Sequence, residues 1–192
     1  MNLKEAQVYM EQTGAVERYK KCTQYIQPAY FHRPRGIHGI SHTQRVLFLV
    51  ELLAALENLG APERDILSIA AVYHDIGRTH DGADRAHGYC SFCKAEQLGL
   101  IYMENPEDYA TVRYIIETHC INDNHAFDLV TDYALRELDR GKGLLKFFKD
   151  ADGLDRVRIN DLNPAMLRLD VSQELVGLAE ELCLHHDDFK KR

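Results

Sequence analysis

The sequence predicts an all-α fold, and three observations carry that prediction. Apolar residues recur at helical spacing along nearly the whole 192-residue chain. Proline and glycine are sparse, 5 and 12 respectively, which leaves long stretches without a helix breaker. No run of alternating apolar and polar residues makes a convincing strand. No linker, low-complexity segment or internal repeat divides the chain. One helical-bundle domain over 1–192 is therefore expected, with N-terminal helices over 1–26 and a C-terminal helix over 172–188 packed on its centre.

The elements follow in order. Residues 3–25 read as one or two helices interrupted near Gly14, and 27–40, with Pro28, Pro34, Gly36 and Gly39, as a loop. Ser41 to Asn58 is amphipathic, with Val46, Leu49, Val50, Leu53 and Leu56 on one face. Gly60 stops it, and Pro62 with Glu63 starts the next helix. That helix, 63–76, is apolar almost all round, as a helix at the centre of a bundle must be. Gly77 ends it, and a loop dense in Asp, Gly and His runs over 77–85. A short helix is expected over 86–98. Asn105-Pro106 caps another that reaches about Thr118. Residues 127–139 read as an amphipathic helix broken by Gly141 and Gly143, and 144–158 as helix again. Ser172 caps a last helix.

Composition narrows the function. Hydrophobic residues make up 45% and charged residues 28%, an ordinary globular balance. Asp and Glu outnumber Lys and Arg, 30 to 23, for a net charge of −7, which argues against a protein that clamps extended nucleic acid. No segment is long and apolar enough for a membrane span, and the N-terminus has no apolar signal core. The odd count of five cysteines, without an export signal, points to reduced thiols and a cytoplasmic location.

The ten histidines, several beside Asp, are the first pointer to metal chemistry. His74-Asp75 closes the most apolar helix, where two polar side chains are costly unless something satisfies them. The plain alternative is a His complementing the helix dipole and an Asp starting a turn. His42 lies in the first turn of its helix, with Arg45 one turn on. Residues 149–158 pack Asp150, Asp152 and Asp155 among Lys149, Arg156 and Arg158, just after Leu144, Leu145, Phe147 and Phe148. Such a run is usually a solvated face, but Leu154 and Val157 put one side of it at the edge of the core.

His42, His74-Asp75 and Asp152, in that order, resemble the HD superfamily of metal-dependent phosphohydrolases. His42-Thr-Gln-Arg45-Val46 is similar to the first motif, Ala70 to Arg78 (AAVYHDIGR) to the central one, and Asp150 to Asp155 (DADGLD) to the last. The resemblance spans about residues 38–160. It implies that His42, His74, Asp75 and Asp152 hold a divalent ion. A mixed imidazole–carboxylate set suits Mn²⁺, Fe²⁺, Co²⁺, Ni²⁺ or Zn²⁺. Such an ion acidifies a bound water and polarises a phosphorus centre. Asp75 then serves both as ligand and in catalysis, and Asp155 and Asp150 are candidate bases. Arg45, Arg78, Lys149, Arg156 and Arg158 are candidate phosphate ligands, each with a helix-stabilising or surface role as its alternative. His87 and His119 fall where some HD sites take ligands for a second ion, although one ion is the expectation here. His38, four residues before His42, is placed near the site but not as a ligand. The lone Cys90-Ser-Phe-Cys93 lacks the second pair or the strand–helix context that zinc or redox chemistry needs.

The resemblance implies a hydrolase acting on a small phosphorylated substrate, most simply a nucleotide. Two other readings stay open: a di-iron oxygenase of the same fold, which requires His87 and His119 as ligands, and a non-catalytic nucleotide sensor.

Overall fold

The computed structural model describes the backbone of residues 1–189 and the side chains of residues 1–185. Ten α-helices and four short 3-10 turns make up the fold, and the described residues contain no strand. The helices are α1 (Leu3–Gln12), α2 (Ala15–Thr23), α3 (Ile40–Leu56), α4 (Ala61–Tyr73), α5 (His87–Gln97), α6 (Pro106–Thr118), α7 (Asp123–Leu129), α8 (Leu138–Leu154), α9 (Asp170–Glu174) and α10 (Val176–Phe189). None is long and apolar enough to cross a membrane.

The buried apolar residues form one cluster, built around α3, α4, α6 and α8. In α4, Ile66, Leu67, Ala70, Ala71 and Ile76 just beyond it are wholly buried, as its all-round apolarity requires. α3 is enclosed still more completely, from Thr43 to Ala55 with only Gln44 partly exposed. That enclosure takes in Glu51, which survives because Ser68 Oγ donates to it at 2.6 Å and Arg18 Nε at 3.2 Å.

The interruption expected near Gly14 is present: at φ +72° it separates α1 from α2. Several boundaries differ from the sequence expectation. α4 ends at Tyr73, before Gly77, with His74 as its C-cap, its amide still donating to Ala70 O. The helix expected over 127–139 is instead α7, a 3-10 turn over Val130–Tyr133 and a break at Ala134, which sits at φ 55°. Gly141 and Gly143 do not break α8 but lie inside it. A Cβ on Gly141 would come within 2.8 Å of Leu135 Cδ1, so the glycine there serves close packing. Ser172 lies within α9 rather than capping the last helix.

Candidate metal centre

Four imidazoles reach the centre from four helices, and each is held by the same device. His74, the C-cap of α4, places Nδ1 3.0 Å from Ala71 O. His119, the C-cap of α6, repeats this with Ile116 O at 2.7 Å. His87, the first residue of α5, places Nδ1 2.6 Å from Asp84 O. His42, in the first turn of α3, places Nδ1 2.7 Å from Asp155 Oδ2. Carbonyl and carboxylate oxygens only accept, so the proton sits on Nδ1 in all four rings and each Nε2 presents a lone pair. Gly88 makes the approach of α5 possible: a Cβ there would lie 2.4 Å from Ile116 O. This close contact seats His87 against the end of α6.

The lone pairs converge. His42 Nε2 and His74 Nε2 are 3.1 Å apart, with Asp75 Oδ2 at 3.4 and 3.6 Å from them and Asp152 Oδ1 at 3.4 Å from His42 Nε2. Four acceptors thus face one another, two of them, Asp75 and Asp152, on residues that line an open cleft. Such a donor set is stable only with a positive charge among the four, and it fits a divalent cation. The electrostatics agree. Burial lowers His74 to about 4, so that ring stays neutral. Burial and the Arg158 charge also push His42 down, but the Asp155 and Asp75 carboxylates outweigh them and raise it. Burial would raise the Asp75 carboxyl, but His74, His38, His42 and His87 hold it well below the usual range. Asp152 is lowered too, with the neighbouring imidazoles outweighing its burial.

A second convergence shares Asp75. His87 Nε2 and His119 Nε2 are 2.8 Å apart, and Asp75 Oδ1 is 3.1 Å from the first and 4.0 Å from the second. Here a cation is already present. Arg78 donates through Nε to Asp75 Oδ1 at 2.7 Å, through Nη2 toward His87 Nε2 at 3.2 Å, and through Nη1 to Gly82 O at 3.2 Å. His119 is held neutral by burial and by His87 and His74. His87 and His119, given a marginal place on the sequence, thus belong to the cluster. Groups able to hold a metal ion are His42–His74–Asp152, His38–His42–Asp75, His74–Asp75–His119 and His87–His119–Cys120.

The candidate bases sit elsewhere. Asp155 is buried and accepts from His42, from Arg45 Nε at 2.5 Å and Nη2 at 3.1 Å, with Arg158 Nη1 3.3 Å away. His42 and Arg45 outweigh its burial and keep its carboxyl low. Its carboxylate is shared between His42 Nδ1 and the Arg45 guanidinium. Asp150 points away altogether: its oxygens accept from the Arg168 and Leu169 amides at 2.8–3.0 Å and from Arg168 Nη1 at 3.0 Å. Positions 150 and 152 lie about 200° apart around a helix, so their carboxylates cannot share a face.

The expected phosphate ligands are also engaged. Arg45 stands behind Asp155. Lys149 Nζ donates to Ile121 O at 2.6 Å and Asp123 Oδ1 at 2.8 Å. Arg156 pairs with Asp161, and Arg158 donates to Ile37 O at 2.8 Å and Asp155 O at 3.0 Å. Lys149, Arg156, Arg158 and Arg78 nevertheless line the cleft, whose volume is about 830 Å³. His38 is a site residue that sequence reasoning undervalued: its Nδ1 is 2.9 Å from Asp75 Oδ2. Its four-residue offset from His42 was the available signal. His80 and His125 are exposed, and Cys90 and Cys93 are free thiols.

A family model described as HD domain matches residues 39–157. No curated protein and no solved structure matches the chain. The matched segment covers more than half the sequence and contains His42, His74, Asp75, His87, His119, Asp152 and Asp155, and the chain therefore belongs to the HD domain family.

Proposed function

We propose that the chain is a metal-dependent phosphohydrolase acting on a nucleotide or another small phosphorylated metabolite. Family membership supports metal-dependent, hydrolase-type chemistry. The observation that carries the finer reading is the meeting of the His42 and His74 Nε2 lone pairs with the carboxylates of Asp75 and Asp152, which line an open cleft. In this reading His42, His74, Asp75 and Asp152 hold the ion. A divalent ion held there supplies an acidified water and polarises a phosphorus centre. Asp155 and the carbonyl of Ala71 keep the His42 and His74 Nε2 atoms free of protons. His38 fixes the orientation of Asp75 from the cleft side. Enclosure of the cluster by α3, α4 and α8 keeps bulk water from its inner side and strengthens each charge interaction. The five free thiols fit a reducing, cytoplasmic setting.

The test is metal analysis of the purified protein, followed by a phosphate-release screen over nucleotides and phosphorylated metabolites with Mn²⁺, Co²⁺, Ni²⁺ and Mg²⁺. Turnover that needs the ion and stops with chelator is expected. Absence of metal-dependent turnover across the panel would remove the assignment.

One observation favours a second reading. His87, His119 and Asp75 Oδ1 converge as a di-iron oxygenase of this fold requires. Arg78 opposes it by placing its guanidinium on the same two atoms. Oxygen consumption by the ferrous protein, set beside the phosphate-release screen, separates the two.

A further inference from the structure

Most of the cleft's cations are already spent on internal partners. Arg78 uses all three guanidinium nitrogens on Asp75, His87 and Gly82 O. Arg158 uses its three on Ile37 O, Asp155 O and His38. Arg168 divides its three between Asp123 and Asp150. Arg156 pairs with Asp161, and Lys149 with Asp123. Arg85 also lines the cleft and is exposed, yet among the described residues its guanidinium makes no hydrogen bond and no ion pair.

Its backbone is fixed all the same. Cys120 Sγ donates to Arg85 O at 3.2 Å, Ala86 N donates to Asp84 Oδ1 at 2.8 Å, and His87 Nδ1 donates to Asp84 O at 2.6 Å. The chain on both sides of Arg85 is thereby tied to the ends of α5 and α6, two residues from His87. The charged head alone is uncommitted. A cation with an anchored base and an open guanidinium fork binds an oxyanion at little cost in ordering, and the fork matches two phosphate oxygens at once.

We propose that Arg85 is the anion anchor of this cleft, the residue that takes hold of the substrate's phosphoryl oxygens. Phosphorylated substrates rest on the function proposed above, but the anchoring of an oxyanion does not require turnover. The paired arginines shape and neutralise the walls, whereas among the described residues of the cleft Arg85 supplies the guanidinium free to change partner when a ligand enters.

The experiment uses inorganic phosphate as the probe on the metal-loaded full chain, with binding read by calorimetry. Arg85→Ala is expected to weaken phosphate binding about ten- to a hundredfold, as loss of a charge-assisted hydrogen bond does, with metal content unchanged. Arg85→Lys is expected to recover part of that loss, since the charge returns without the fork. Arg156→Ala, whose guanidinium already faces Asp161, is expected to shift it far less. Equal phosphate affinity in Arg85→Ala and the unaltered chain overturns the proposal, as does a larger loss in Arg156→Ala. Phosphate binding that depends on Arg85 in a protein without turnover supports the anchor while removing the phosphohydrolase reading, so the two ideas fail separately.

Discussion

His42 Nδ1 lies 2.7 Å from Asp155 Oδ2, and through that contact a carboxylate outside the four-atom cluster sets the chemistry within it. The bond fixes the His42 tautomer and turns the Nε2 lone pair toward His74, Asp75 and Asp152. Asp155→Asn is therefore expected to weaken divalent-metal affinity by about 10- to 100-fold, measured by metal titration. A fall in turnover at unchanged metal affinity would instead make Asp155 a proton acceptor.

His74→Ala and Asp75→Ala are expected to strip the metal and the activity. The helical signal in circular dichroism should persist, because α3, α4, α6 and α8 draw their stability from apolar burial. Metal retained at full occupancy in both variants would put the ion elsewhere.

Arg78 occupies the side of the cluster where a second ion would sit, with Nε 2.7 Å from Asp75 Oδ1 and Nη2 3.2 Å from His87 Nε2. One tightly held equivalent of metal is expected in the unaltered chain. Arg78→Ala exposes the His87, His119 and Asp75 Oδ1 acceptors, so a second equivalent should then bind more tightly. Unchanged stoichiometry and affinity in that variant would show that Arg78 does not compete with an ion.

Asp150 is wholly buried, and Arg168 ties it to Asp123 on the wall of the cleft. Breaking such a buried pair from one side costs about 3–5 kcal/mol. Asp150→Ala should lose that much stability in chemical denaturation while metal stoichiometry stays the same. A variant of native stability that has lost turnover would instead restore Asp150 as a base.

The metal-free protein should lose stability on acidification. His74 is held at about 4, below the 6.5 of an ordinary histidine, so between those values the unfolded chain takes up a proton that the folded chain refuses. His119 is lowered in the same sense, while His42, which is raised, offsets part of the effect. The melting temperature in chelator should therefore fall as pH drops from 6.5 toward 4. A flat profile would mean that His74 is not held neutral. Bound metal should protect the fold toward the neutral end of this range.

Much of the helix inventory was legible because periodicity and caps are local. The Asn105-Pro106 start of α6 is an example: Asn105 Oδ1 accepts from the Glu107 amide at 2.9 Å. The segment 127–139 departs from its helical periodicity at Ala134, at φ 55°, and Gly141 and Gly143, helix breakers by propensity, lie inside α8. Propensity is a weak prior, and the close approach of Leu135 to Gly141 follows from the reversal of the chain at Ala134.

By itself the sequence determined the helical class and the chemical kinds present at His42, His74, Asp75 and Asp152, because those residue types sit in recognisable local patterns. Only the tertiary structure decided how these and the other polar residues are used. It brought His87, His119 and His38 to the same carboxylate, turned Asp150 away from the cluster to Arg168, and committed Arg45 to Asp155. The physical reason is that a charged side chain is defined by its partner. Those partners lie far along the chain, 113 residues away for His42 and Asp155 and 32 for His87 and His119, and only packing of the helices brings them within hydrogen-bond reach.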